Sequence, residues 1–526
     1  MKKTLEQLLS TVERVHAHDD QPPEHEVIAV SETISTAASA YETLRNSLEY
    51  DEEHLLRRNA IRRILSRRLE EHNRDHLGRD LLRELIWARY LPNKRVPERM
   101  IAVVDGILKK YEPLLEVAHH GSREERRAWS WLLDLLSTEV EYAVSPPHID
   151  EALASFAYQE LKERMDWVNK TISEEDHDLQ LYVAVHRAVL KSNHATLRFR
   201  LLTLYYPAWA KAAPGDAVVK TVSANLPSII TSIETQLRHP AGETLYRVVR
   251  KHAVVFHILG DLAKQDAQGF AHMLEVHDAD GIADAIAKAA KKRYERFGVR
   301  LRRLVIRAVA FLFLTKMLLA LVVEVPYEQL VIHEENFTPL LVNILFHPLL
   351  LAVIGLTVSL PETKNTAKIV EEAKGLLGMG DDFVVSFKVR RPWAKGTMGG
   401  VFKIFYALFF LLTIGAISWF LHSVDFNALS IFFFIFFLSL VTFFGLKIRN
   451  TKRELIIIEG KTSVFGTLAD ILFLPIISAG RWVALRTPKV NIFLYFFDFV
   501  VEAPFKALIS AVEGWLAYLR EKKEEI

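Results

Sequence analysis

The sequence predicts an all-α membrane protein: a large cytoplasmic helical array, then a four-helix transmembrane bundle, then an amphipathic membrane-surface tail. Three observations predict it. Through residues 1–300 apolar side chains recur at three- and four-residue spacing with charges between them, the pattern of half-buried helices. Beyond Gly298 come four apolar runs, each near the ~20 residues that a helix needs to cross a ~30 Å hydrocarbon core. Lysine and arginine gather on alternate ends of those runs.

The array comes first. Its helices are punctuated at Pro23, Pro92, Pro97, Gly121, Pro146, Pro147, Pro207, Pro214, Pro227 and Pro240, where the ring removes a backbone donor or the glycine loosens the chain. The opening MKKTLEQLLSTVERVHAHDD turns amphipathic and charged after two lysines. It lacks the continuous apolar core of a secretion signal, so the N-terminus is expected in the cytoplasm. The 66 basic and 64 acidic residues nearly cancel, which disfavours a nucleic-acid partner on whole-chain charge. There is no cysteine, so disulfides, thiolate nucleophiles, iron–sulfur clusters and Cys-ligated zinc are excluded.

The spans are read at 305–324, 339–360, 401–421 and 429–446. The stretch Ile431–Phe444 carries seven phenylalanines, which suits lipid better than a soluble core. Lys288, Lys291, Lys292, Arg293, Arg296, Arg300, Arg302, Arg303 and Arg307 lead into the first span, and Lys447, Arg449, Lys452 and Arg453 follow the fourth. The connections 325–337 and 422–428 hold no lysine or arginine, and the first carries Glu328, Glu334 and Glu335. By the positive-inside rule the N-terminus, the insert 361–400 and the C-terminal region face the cytoplasm, which makes the chain multi-pass in the inner membrane. The domains are therefore 1–300, 301–450 with the insert at 361–400, and 451–526. A helix near 363–377 and a short strand near Phe383–Val389 are expected in the insert.

In the tail, 464–480 and 491–519 are apolar enough to cross, but two more crossings would put Arg481, Arg486 and Lys489 outside. Asn491, Tyr495, Asp498, Glu502, Lys506, Glu513 and Arg520 instead form one polar stripe, the signature of a helix lying in the interface.

Motifs with chemistry are weighed against plainer readings. Gly460, Lys461 and Thr462 resemble the end of a phosphate loop, but Leu455 stands where the first glycine is required, so an ordinary turn is preferred. His277 to Gly281 resembles a calcium loop, but Val276 and Ala287 occupy its first and last ligand positions. Asp280 there reads as a helix cap. His72 and His76 are spaced to share a metal yet have no third ligand fixed nearby, and a solvated face is preferred. The pairs Arg57–Arg58, Arg62–Arg63 and Arg67–Arg68 advance five residues at a time, winding around their helix, which points to ion pairs with several neighbours rather than one docking face. No hydrolase signature is present, and no catalytic residue, cofactor or metal site is assigned.

Inside the spans, Lys316 lies mid-way along the first, and Asn343 and His347 share a face of the second. Ionisable groups at that depth mark an ion path or an interhelical network, with Lys316 alternatively snorkelling toward Glu324. No carboxylate is expected deep in the spans. The lipid-headgroup contact is assigned to Lys291, Lys292, Arg293, Arg296, Arg300, Arg302 and Arg303, which makes anionic lipids the expected partner alongside the bilayer. The function expected is a membrane-anchored helical scaffold or protein-interaction module at the inner face, with unidentified protein partners and scope for oligomers. The alternative is an ion or small-solute channel or transporter using Lys316, Asn343 and His347.

Overall fold

The computed structural model describes residues 2–19, 26–32, 35, 39, 42, 53–70, 76–118, 122–168, 172–333, 338–361, 363–388, 397–458 and 464–486. The stripe expected over 491–520, His72, and the turn at Gly460, Lys461 and Thr462 lie outside the described residues. Helices dominate and strand is almost absent, as the spacing predicts. The chain forms two compact units, Met1–Arg250 with Val385–Phe387, and Lys251–Val384 with Lys388–Lys489, the first boundary falling inside the helix Gly242–Gln265.

The first unit holds α1 (Lys3–Asp19), α2 (Glu53–Glu70), α3 (Leu77–Trp87), α4 (Arg99–Val117), α5 (Arg123–Val144) and α6 (His148–Arg164). After them come α7 (Glu174–Val189), α8 (His194–Tyr205), α9 (Ala217–Ala224), α10 (Leu226–Leu237) and the start of α11 (Gly242–Gln265). Helix α5 begins with a capping box, Ser122 Oγ accepting from Glu125 N at 3.1 Å and Glu125 Oε2 accepting from Ser122 N at 2.9 Å, which satisfies two otherwise orphaned donors. It then runs through the middle of the unit, with α2, α4 and α8 packed on it. Trp131, Leu132, Leu133, Leu135, Leu136 and Val140 are buried accordingly.

A helix enclosed on several sides must pair the charges it carries. Glu141 takes a two-pronged contact from Arg57, with Nη2 to Oε1 at 2.7 Å and Nε to Oε2 at 2.8 Å. Asp134 receives Arg58 at 3.4 Å, Arg62 at 2.8 Å and Arg198 at 2.6 Å. Arg63 pairs with Glu42 at 2.6 Å, Arg67 with Glu84 at 2.7 Å and Arg68 with Asp80 at 3.4 Å. All six arginines of the three pairs are thus ion-paired, and their partners lie outside α2. Glu139 is buried as well: Lys110 donates to its Oε1, while Tyr111 Oη and Trp209 Nε1 donate to its Oε2 at 2.8 and 3.0 Å.

The short strand expected in the insert is β2 (Val385–Phe387), which pairs in parallel with β1 (Met165–Trp167). Trp167 lies edge-on to Phe387, their ring centroids 5.3 Å apart. Three residues of β1 are too few to leave a period-two signal in the sequence.

The second unit contains the remainder of α11, then α12 (Ala267–Glu275), α13 (Ala279–Leu319), α14 (Thr338–Leu356), α15 (Thr363–Leu376), α16 (Thr397–His422), α17 (Ala428–Thr451) and α18 (Val464–Arg486). The cap of α13 is Asp278, whose Oδ1 accepts from Gly281 N at 2.9 Å, and not Asp280. Among the described residues, four helical stretches are long and apolar enough to cross a membrane: Ala279–Val331, Thr338–Leu356, Gly400–His422 and Ala428–Leu455. Small residues bring them close. A Cβ on Gly355 would sit 2.5 Å from Val305 Cγ1, and one on Gly445 2.8 Å from Ile354 Cδ1. The described part of the tail, α18, packs along α17.

Two outcomes are expected for the first unit. Glu139→Leu alone strands the Lys110 ammonium and costs about 3–5 kcal/mol, whereas Lys110→Met combined with Glu139→Leu recovers most of that loss. The urea midpoint followed by tryptophan fluorescence checks it, and a double variant as unstable as the single one contradicts it. His186 is buried and held well below its ordinary value, first by burial and then by the Arg200 cation. It therefore binds less proton folded than unfolded once pH drops below about 6.5, and the unit loses stability from there downward. His186→Leu flattens that acid slope by up to about 1.4 kcal/mol per pH unit; an unchanged slope contradicts the assignment.

Candidate intramembrane polar site

Helix α13 does not stop where a span of ordinary length would. After Leu319 it continues as a π-wound turn, Ala320–Glu324, a short α segment, Val325–Tyr327, and a second π-wound turn, Glu328–Ile332. Pro326 sits between the two wide turns. Its ring crowds the carbonyl four residues back and offers no N–H, so a widened winding relieves the clash. The winding also re-aims side chains. Eight residues of regular α-helix turn a side chain about 80° past two full turns, and a wider turn removes part of that excess, bringing Glu324 toward the face of Lys316.

That face is buried against α14 and α17. Lys316 is 0 % exposed, Asn343 0 %, His347 0 %, Glu324 1 % and Glu328 3 %. Lys316 Nζ donates to Asn343 Oδ1 at 2.7 Å and sits over the Phe437 ring, 4.4 Å from its centroid. Asn343 Nδ2 donates to Glu324 Oε2 at 2.7 Å, so one amide joins cation to carboxylate. The ammonium itself is 3.9 Å from Glu324 Oε1.

On α17, Asn427 caps the helix by accepting from Ser430 N at 2.9 Å, and its Nδ2 donates to Glu328 Oε1 at 3.1 Å. Ser430 Oγ lies 3.5 Å from Glu324 Oε2 and 3.4 Å from Glu328 Oε1. One turn along α14, His347 faces two backbone carbonyls, Asn343 O at 3.0 Å from Nδ1 and Phe434 O at 2.9 Å from Nε2. A neutral imidazole has a single N–H, so only one of these can accept from it at a time.

The structure thus brings together Lys316, Asn343 and His347, and corrects two expectations. Lys316 does not snorkel to a surface. Carboxylates do lie among the spans, because Glu324 and Glu328 belong to a continuing helix and are buried, where a connection had been expected from 325. Sequence reasoning missed these two, along with Asn427 and Ser430. The available signal was the i,i+4 spacing of Glu324 and Glu328, which places both on one helical face.

The basic residues assigned to headgroup contact lie on α13 before its apolar part. Lys291, Lys292, Arg296, Arg300, Arg302 and Arg303 are exposed and cover about half the helix circumference. Arg293 differs: it is half-buried and pairs with Asp261 at 2.7 Å. Asn365 of α15 holds the adjoining layer together, donating to Tyr294 Oη at 2.9 Å and to Leu455 O at 2.8 Å while accepting from Ile457 N at 2.9 Å.

Because Asn343 is the junction of the buried network, Asn343→Leu leaves both an ammonium and a carboxylate short of a partner. The expected cost is about 1–3 kcal/mol for each unsatisfied group, read as a lower melting temperature by circular dichroism in detergent. Leu411→Ala, on the outward face of α16, serves as the control and leaves the midpoint nearly unchanged. Equal melting of Asn343→Leu and the parent chain contradicts the network.

No family model matches this sequence, and neither a curated protein nor a solved structure matches it.

Proposed function

We propose that the chain is a membrane-anchored helical scaffold, a protein-interaction module held at the cytoplasmic face of the inner membrane. One observation carries this reading. Helix α13 runs 41 residues from Ala279 to Leu319 without a break, about 60 Å at 1.5 Å per residue. That is roughly twice the hydrocarbon thickness, so a continuous rigid helix leads from outside the bilayer into the first span. A flexible tether would let a soluble part wander; a continuous helix fixes its own membrane-proximal end against the bilayer.

The basic face of α13 supports the reading by supplying cations where the helix meets headgroups. Each is worth about 1 kcal/mol near an anionic surface. The outward apolar faces of the spans, such as Leu412 and Trp419 of α16, suit lipid contact. A second reading, an ion or small-solute transporter, draws on the buried polar network across three spans.

The two readings separate on one comparison in native membranes. Chemical cross-linking followed by affinity capture should return a defined partner set from the full chain. That set is expected to survive Lys316→Leu and to vanish when residues 31–290 are deleted. Survival of the set in the deletion refutes the scaffold, and proteoliposome ion flux that is lost in Lys316→Leu establishes the transporter in its place.

A further inference from the structure

The intramembrane network contains one atom that its neighbours do not satisfy. Glu324 Oε1 is buried and has no hydrogen-bond partner among the described residues, while Oε2 of the same carboxylate receives Asn343 at 2.7 Å. The cation paired with it among the described residues, Lys316, spends its short contact on Asn343 Oδ1 and reaches Oε1 only at 3.9 Å. Ser430 offers a single hydroxyl proton between Glu324 and Glu328, so it serves one carboxylate at a time. An ionised carboxylate in a dry interior needs donors on both oxygens or a close cation, and one that lacks them is neutralised instead.

We propose that this cluster is a proton-binding site and that Glu324 carries the exchangeable proton. The step is protonation alone: a proton from the aqueous phase bonds to the free Oε1, converting the carboxylate to a carboxylic acid with no other bond broken. Among the described residues, the charged and titratable groups of the cluster are Lys316 and Glu328 on its own helical run and, one step removed through Asn343, His347 on α14; Asn343, Asn427 and Ser430 are the neutral polar members. Asn343 passes the change on, since its amide touches both Lys316 and Glu324. The site goes beyond the scaffold reading and does not depend on it.

The test uses the full chain in lipid nanodiscs. Infrared difference spectra between acidic and alkaline buffer should show a protonated-carboxyl C=O band that disappears with rising pH. The band is expected to be lost in Glu324→Gln and kept in Glu328→Gln. A band that persists in Glu324→Gln, or one lost only in Glu328→Gln, overturns the assignment. Dicyclohexylcarbodiimide, which attacks protonated carboxyl groups in apolar surroundings, needs no substitution and covers the case in which Glu324→Gln does not fold. Peptide mass mapping of the parent chain should find the adduct on Glu324, with less of it at alkaline pH. An unmodified Glu324 at every pH, in protein whose helical content is intact, overturns the proposal.

Discussion

A charge taken out of water must meet a partner, and both units of this chain are arranged around that constraint. The cost of failing is several kcal/mol per ion, comparable to the whole stability of a domain. In the first unit the constraint falls on α5, an enclosed helix that nonetheless carries Asp134, Glu139 and Glu141. Arg57, Arg58, Arg62, Arg198 and Lys110 converge on it. In the second unit it falls on the first span, where Lys316, Glu324 and Glu328 enter an apolar bundle. There the answer is neutral connectors, Asn343, Asn427 and Ser430, which bring donors and acceptors to charges that hardly touch each other.

Asparagine suits this work because one short side chain both accepts and donates. Asn343 does so among the spans and Asn365 does so beside them, tying Tyr294 of α13, Leu455 at the end of the fourth span and the backbone of Ile457 to α15. The continuous helix α13 passes through both junctions. The helical run that carries Glu324 is therefore continuous with the stretch that carries the exposed basic residues Lys291, Lys292, Arg296, Arg300, Arg302 and Arg303.

Much of this plan is legible in the sequence, for reasons that can be named. The spans are long, nearly uncharged runs, and hydrophobic length is a strong signal. The arginine pairs advance five residues at a time, so they could not share one face, and the structure gives each a partner. The insert shows a helix at Thr363–Leu376 and a strand at Val385–Phe387, close to where periodicity put them. What was hidden is nonlocal or depends on winding. Lys110 and Glu139 are 29 positions apart, and no local pattern joins them. Glu324 read as the last residue of the first span and Glu328 as part of the connection, because that span had by then reached its expected length. The π-wound turns around Pro326 that keep those carboxylates inside leave no periodic trace in composition.

The account rests on residues 320–332 being helix among the other spans and not a polar connection. A spin-label scan from Met317 to Ile332 in nanodiscs tests it most directly, because the chain has no native cysteine to remove. Oxygen accessibility should oscillate with helical period along the scan, its period lengthening beyond Ala320. A water-soluble relaxant should stay excluded at Glu324 and Glu328. Free access of that relaxant at every position from Val325 to Glu328, with no oscillation, would contradict the account.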